Sequence, residues 1–274
     1  MLTKFNISES AANFDPDLIC TSFSGEKRSA IDAFYETRDL TLTWLFSPPF
    51  SDNPSLRANL LLLLFSSAET YFRRVIGEAI ALCPFAAEHS GGQQIALGSV
   101  AMFGSELVGF SISDTKGLTS AGEIASRTSK LLGLPIDKNS SLGVAISQFE
   151  SICVLRHAIV HSSCELLYSN RKELKVKHKG RLVLSINDAG AQEIVQIAVN
   201  AVRSYNNRIG NELIRRWFTD GHFTGTWRDD RDTFCRATSL FRSKVDELDA
   251  LSDYKTYLSL RKSLRANKTL SVQN

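Results

Sequence analysis

The sequence predicts a mainly α-helical bundle with one small β-hairpin. Apolar residues recur at helical spacing in four long stretches, 26–46, 55–82, 141–161 and 188–218. Only residues 171–186 alternate with the period of two that is typical of strands, around a Lys-Gly turn. With 43% hydrophobic residues among 274, the chain can bury a sizeable core, so a folded helical protein is expected.

The first helix is predicted from five apolar residues on one face, and Ser47-Pro48-Pro49 ends it because proline lacks the amide donor. Asn53-Pro54 then resembles a helix start. The following helix is apolar nearly all round from Leu60 to Phe65, which is typical of a central core helix. Cys83-Pro84 ends it.

The remaining elements follow the same reasoning. Repeated glycines make residues 85–140 the least regular part, with helical fragments expected at 93–103 and 121–132. A further helix follows at 141–161. Asn187-Asp188 offers a cap for the helix that runs to Phe218.

These patterns predict three regions. Residues 1–25 form an irregular leader, and 26–218 form the helical domain, which includes an insertion at 85–140 and the hairpin at 171–186. Residues 219–274 form a basic helical C-terminal extension.

Composition argues against several classes of protein. Five widely spaced cysteines without a Cys-x-x-Cys pair argue against a disulfide framework and a structural zinc site. The most apolar run, Leu60 to Phe65, is far shorter than the roughly 20 residues of a membrane span. No secretory signal and no glycine-rich phosphate loop are visible, so we expect a cytoplasmic protein with no membrane role and no cofactor.

Charge is unevenly distributed. Residues 201–274 carry 14 basic and nine acidic residues, whereas 1–200 carry 18 and 20. Residues 171–181 contain six basic residues and one acid. These concentrations are either contact surfaces for nucleic acid or solvated faces.

The segment Leu155 to Ser163 carries the strongest chemical signal, and it has three interpretations. His157 and His161 are four residues apart and share a helical face, but the residue after the first histidine is Ala158, not the glutamate of a catalytic zinc helix. Alternatively, the histidines are structural and their charge favours a helix C-terminus. The third interpretation is acid–base catalysis on a phosphodiester, because RNA cleavage by its own 2′-hydroxyl needs a base, an acid and a cation for the phosphorane.

Arg156 and His161 supply a fork-shaped cation and a base for that chemistry. On a helix they are about 140° around and about 7.5 Å along from each other, so they would flank a cleft at the helix end. One histidine cannot be acid and base on opposite sides of a phosphate, but two copies across a two-fold axis can.

An arginine, four residues and a histidine at the end of a core helix resemble the ribonuclease motif of HEPN domains. His157 stands where that family commonly has Asn, Asp or His. The helix Leu61 to Ile76 resembles the family's helix with an acidic residue facing the motif, which implies an orienting role for Glu69. The resemblance covers about residues 26–218. It implies a HEPN-type bundle, a homodimer, an RNA substrate, and a toxin or anti-phage role with an antitoxin or defence partner.

Other residues keep two interpretations each. Glu69 is either that orienting carboxylate or a surface partner of Arg73, which in turn could face phosphates. The alternating Lys175, Lys177 and Lys179 either track an RNA backbone or guard an edge strand. Three aromatic residues of the C-terminal part stack on bases or pack in a core: Trp217, Phe223 and Trp227.

The function expected from the sequence is a metal-independent endoribonuclease that uses Arg156, His161, His157 and Glu69. The alternative is a HEPN-like module that binds RNA, a nucleotide or a protein without chemistry. A plain assembly protein is a third possibility.

Overall fold

The computed structural model describes residues 15–21, 28–103, 109, 111–112, 117–246 and 252–271. The molecule is mainly α-helical, as predicted, and no strand occurs within those residues. The helices are α1 (Ala30–Leu45), α2 (Pro54–Leu82), α3 (Pro84–Ser90), α4 (Leu97–Phe103), α5 (Ala121–Leu132), α6 (Ser141–Ser162), α7 (Tyr168–Glu173), α8 (Asp188–Thr219), α9 (Trp227–Phe241) and α10 (Asp253–Ser271).

The predicted core helix, α2, packs against α1, α3, α5, α6, α8 and α9. Aromatic rings join the three longest of these helices at the centre. Phe72 of α2 meets Phe149 of α6 edge-on at 5.7 Å and Tyr205 of α8 at 5.0 Å between ring centroids. All three rings are almost fully buried, so this junction fixes α2, α6 and α8 relative to one another.

Buried polar groups at the same junction are paired. The Tyr205 hydroxyl lies 2.8 Å from the Thr128 hydroxyl of α5, and the Tyr71 hydroxyl donates to Asn206 Oδ1 at 3.1 Å. Asn206 donates in turn to the backbone carbonyl of Phe241 at 2.7 Å. These bonds specify where α5 and α9 sit on the core.

The described part of the predicted insertion, residues 85–140, packs on the core through α5. Ile124, Leu131 and Leu132 of α5 are buried against α2 and its neighbours. The part of the insertion at 104–108, 110 and 113–116 lies outside the described residues, as do residues 1–14 and 22–25 of the predicted leader and residues 26–27 at the predicted start of the first helix.

The hairpin predicted over 171–186 is replaced by a different structure. Its first three residues belong to the helix α7, which ends at Glu173, and residues 174–179 form a turn and irregular backbone. Its second half pairs with the residues before α7, since Leu166 N–H donates to Leu182 and Leu184 N–H donates to Cys164. A single antiparallel bridge, Glu165 to Val183, marks this closure. We call residues 164–184 the basic loop.

The alternation that predicted two strands survives in the basic loop without a sheet. Leu174 and Val176 are half-buried, whereas Lys175 and Lys177 are exposed. The α7 turn is held by Asn170, which is 3% exposed and accepts a hydrogen bond from Leu167 N–H at 3.2 Å. A period of two shows which side chains are covered, and here it occurs in a segment that forms no strand.

The described residues after 218 contribute to the same core. Phe234 of α9 and Tyr257 of α10 are fully buried and pack edge-on at 5.2 Å. Trp217 and Phe223 are also buried, with their ring centroids 5.5 Å apart. Trp217 and Phe223 therefore pack in the core, whereas Trp227 is half-buried beside Tyr257.

One helix of the described chain, α6, is long and apolar enough to cross a membrane by length and composition alone. Its apolar window is 44% buried within the protein, against α8 and α2. The core helix of a folded protein passes the same test.

Candidate active site

The histidines lie at the end of α6, where the helix is stopped by left-handed backbone. Ser140 caps its start, accepting a hydrogen bond from Gly143 N–H at 3.0 Å. At its end, Ser163 and Cys164 adopt φ of +48° and +71°, and Cys164 N–H donates to the Ala158 carbonyl at 3.1 Å. Left-handed backbone at the end of a helix is usually provided by glycine, but here two residues with side chains adopt it. The helix therefore ends directly after His161.

His157 and His161 form a pair on the surface. Both are exposed, and their ring centroids are 4.6 Å apart with the planes inclined by 47°. The i, i+4 spacing predicted this proximity. No three His, Cys, Asp or Glu side chains in the described ranges converge in a way that could hold a metal ion.

Glu69 of α2 connects the two helices of the site. Its Oε1 accepts a hydrogen bond from Arg73 Nη2 at 2.9 Å and another from Leu118 N–H at 3.2 Å. Its Oε2 lies 3.9 Å from Arg156 Nη2 of α6. Glu69 therefore pairs with Arg73, as one interpretation predicted, and also faces Arg156 of the motif, while its orienting role stays a prediction.

Arg156 remains partly accessible despite that contact. Its side chain is 35% exposed, whereas those of Glu69 and Arg73 are 18% and 19% exposed. The 3.9 Å separation leaves room for the guanidinium to contact a second anion. Arg73 lies further inside and is held by Glu69, so its contact with RNA stays a prediction.

The angular order around α6 explains how these groups are arranged. At 100° per residue, Arg156 and His161 are about 140° apart, and Val160 and His157 fall between them. Val160 is 50% exposed. Arginine, valine and the two histidines therefore form one strip across the last turns of α6, and no measured contact joins Arg156 directly to His161.

Two further glutamates, Glu123 and Glu150, lie beside the site and were not found from the sequence. Leu118, Thr119 and Ala121 each donate their backbone N–H to a different glutamate, respectively Glu69, Glu123 and Glu150. The glutamates come from α2, α5 and α6, so residues 118–121 are held to these helices, and Leu118 shares Glu69 with Arg156. Part of the signal was readable, because Ser120-x-x-Glu123 has the spacing of a capping box.

Cys153 lies one turn before Arg156 on α6. Burial raises the pKa of its thiol to about 12, the negative charge of Glu150 acts in the same direction, and Arg156 opposes both. The thiol is therefore protonated at neutral pH and is not a nucleophile.

The predicted RNA-binding lysines lie in the basic loop that follows α6. Lys175, Lys177 and Lys179 are all exposed. Two arginines instead hold the loop together: Arg171 donates to the Gly180 carbonyl at 2.9 Å, and Arg181 forms a two-pronged pair with Glu165 at 2.9 Å. The loop thus has a fixed frame and freely projecting lysines.

Comparisons with known proteins gave no match. No protein-family model matches the chain, and neither curated proteins nor solved structures show significant similarity to it.

Proposed function

We propose that this protein is a metal-independent endoribonuclease of the HEPN type that cleaves RNA at the end of α6. The observation that supports the proposal most strongly is the surface strip of α6. It presents two exposed imidazoles 4.6 Å apart and a guanidinium that Glu69 contacts at 3.9 Å. Imidazole can transfer protons near neutral pH, and guanidinium can neutralise the negative charge of a phosphorane.

The proposed reaction needs no group beyond the protein and the RNA. His161 accepts the proton of the 2′-hydroxyl, whose oxygen then attacks the adjacent phosphorus. The bond from phosphorus to the 5′-oxygen breaks, and that oxygen receives a proton from an imidazolium. The products are a 2′,3′-cyclic phosphate and a free 5′-hydroxyl. Arg156 binds the non-bridging oxygens, on which negative charge accumulates.

Glu69 acts as a positioning residue in this proposal, because it contacts Arg156 and does not touch the substrate. His157 lies beside His161 and contributes the second imidazole of the pair. Two neighbouring rings on one helix face approach a phosphate from the same side, whereas in-line attack needs base and acid on opposite sides. The proposed active form is therefore a homodimer in which two α6 ends face one phosphate.

The experiment is incubation of total RNA with the purified protein in EDTA. We expect cleavage by the wild type, and loss of at least about 100-fold with Arg156→Ala or His161→Ala, the range expected for one general base or charge-stabilising group. Lys138→Ala, at an exposed position before α6, is the matched control and should cleave normally. Equal cleavage by wild type and both site variants would refute the proposal.

The non-catalytic alternative has its own supporting observation, the exposed lysines of the basic loop. Under that alternative the protein retains RNA in a gel shift, and neither wild type nor His161→Ala produces fragments. A toxin or anti-phage role, and an antitoxin or defence partner, rest on the family resemblance alone.

A further inference from the structure

Tyr168 is the most exposed aromatic residue in the described part of the chain, with 83% of its surface open to solvent. It is the first residue of α7. Its neighbours fix the backbone there, since Leu167 N–H donates to the buried Asn170 and Arg171 N–H donates to the Leu167 carbonyl at 3.0 Å. A flat ring on a rigid turn has little conformational freedom to lose when something stacks on it.

Unpaired positive charge follows this ring along the basic loop. The basic loop contains six basic residues and two acidic ones. Arg181 neutralises Glu165, and Arg171 is committed to the Gly180 carbonyl. Four lysines remain exposed, and within the described ranges none of them is in an ion pair: Lys172, Lys175, Lys177 and Lys179. The loop therefore offers an exposed aromatic ring and four exposed lysines.

The loop is joined directly to the candidate active site. Two residues separate His161 from its first residue, Cys164, and α7 packs against α6. Non-glycine residues with left-handed backbone are confined, in the described chain, to Ser163, Cys164 and Lys175. Such conformations are unfavourable for residues that carry a Cβ, and they cluster where a surface must be held in a functional shape.

From this arrangement we infer that the basic loop binds single-stranded RNA, with one unpaired base stacked on Tyr168 and the adjacent phosphates contacted by the lysines. The inference deepens the proposed function and rests on it for the delivery of the strand to His161. A base can stack on a side chain only when it is not enclosed in a duplex, so the exposed aromatic favours a single strand. Lysine is depleted in protein–protein interfaces, so a protein partner fits this surface less well.

The test measures binding separately from cleavage. A fluorescent 2′-O-methyl oligoribonucleotide cannot be cut by 2′-hydroxyl attack, so its fluorescence anisotropy with the full chain reports affinity even if the protein is not a nuclease. Tyr168→Ala should weaken binding about tenfold or more, and Tyr168→Phe should bind within about threefold of wild type because it keeps the ring. Tyr254→Ala, which removes another partly exposed tyrosine, is the matched control and should bind like wild type.

Salt dependence tests the lysines. Four phosphate contacts predict a slope of about −2.8 in log affinity against log salt, and Lys175→Ala with Lys177→Ala should reduce it by about 1.4. Equal affinity of Tyr168→Ala and Tyr254→Ala would overturn the inference. So would binding of a blunt duplex as tightly as the single strand, or concentration-dependent self-association of the chain with no RNA binding. Tight binding without cleavage of ordinary RNA would instead refute only the proposed function.

Discussion

Replacing Asp230 with asparagine should destabilise the protein more than any other single isosteric change in α9. Asp230 is 3% exposed. Its Oδ1 accepts from Thr224 N–H at 2.8 Å and from the Thr224 hydroxyl at 2.9 Å, and its Oδ2 accepts from Gly225 N–H at 2.9 Å and from the Tyr257 hydroxyl. One carboxylate therefore joins α9, α10 and the turn that leaves α8.

The magnitude follows from counting what asparagine can satisfy. An amide has one accepting oxygen, so its nitrogen must face two of the four donors. The Tyr257 hydroxyl can rotate and accept, but Gly225 N–H cannot and is left unpaired at a cost of about 1–3 kcal/mol. The remaining bonds lose their charge assistance, so the total is about 3 kcal/mol. For a chain of this size that corresponds to a fall in Tm of about 6–12 °C.

The assay is thermal unfolding followed by far-UV circular dichroism. Asp229→Asn changes the same side chain at the neighbouring exposed position of α9 and is the matched control. It should cost under about 1 kcal/mol, the value of a charge in the first turn of a helix. If Asp230→Asn and Asp229→Asn melt within about 2 °C of each other, the argument that Asp230 joins these elements is wrong.

Three further predictions concern packing, acid stability and thiol reactivity. A Cβ on Gly210 would lie 2.7 Å from the ring of Phe241, the last residue of α9. Gly210→Ala should therefore lower the free energy of unfolding in urea by about 1–3 kcal/mol. Gly98→Ala is the control and should not destabilise the fold, because nothing lies within 4 Å of a Cβ there. Burial alone would raise the pKa of Asp32, but hydrogen bonds from the segment after α9 outweigh it and lower that pKa. The ionised carboxylate of Asp32 stabilises the fold at pH values above its unfolded pKa of about 3.9, and this stabilisation is lost as the pH falls through the folded pKa. Asp32→Asn should therefore make the Tm fall less steeply below about pH 4. The same dependence of Tm on pH in the variant and the wild type would contradict this. At pH 8 iodoacetamide should modify the exposed Cys20 and leave Cys153 unmodified, since burial raises the pKa of Cys153 to about 12; mass spectrometry showing equal modification would exclude that assignment.

The positions of the long helices were predictable because residues close in sequence, such as caps and prolines, determine where each helix begins and ends. Asn53 caps α2 with its side chain on Ser55 and Leu56 N–H, and Asn187 caps α8 in the same way through Gly190 N–H. These signals need only a few neighbouring residues. The predicted limits of α2, α6 and α8 accordingly agree with the structure to within one or two residues.

The basic loop was mispredicted because its pattern has two physical solutions. Alternating leucine and lysine suits a strand pair, but it also suits a single segment lying on a helix with one side covered. Contacts between residues further apart in sequence determine which structure forms, such as those of Arg171 with the Gly180 carbonyl and of Leu166 N–H with the Leu182 carbonyl. A two-stranded hairpin without a third strand is only marginally stable, which favours the alternative.

At the candidate site, local spacing and tertiary packing contributed differently. The proximity of His157 and His161 follows from one helical turn. The contact between Glu69 and Arg156 spans two helices and depends on how α2 and α6 pack, and the HEPN resemblance was what suggested it. The clamp of three glutamates on residues 118–121 needs three helices in place, so no periodicity in the sequence could have located it.

The most direct test of the proposed chemistry is the identity of the RNA ends in a reaction containing EDTA. An oligoribonucleotide that the protein cleaves at one position should yield a 2′,3′-cyclic phosphate and a 5′-hydroxyl there. A single 2′-deoxy substitution on the 5′ side of that bond should abolish cleavage at it, because the attacking oxygen is missing. Fragments with 5′-phosphates, or undiminished cleavage at the 2′-deoxy position, would contradict the assignment of Arg156 and His161 to this reaction.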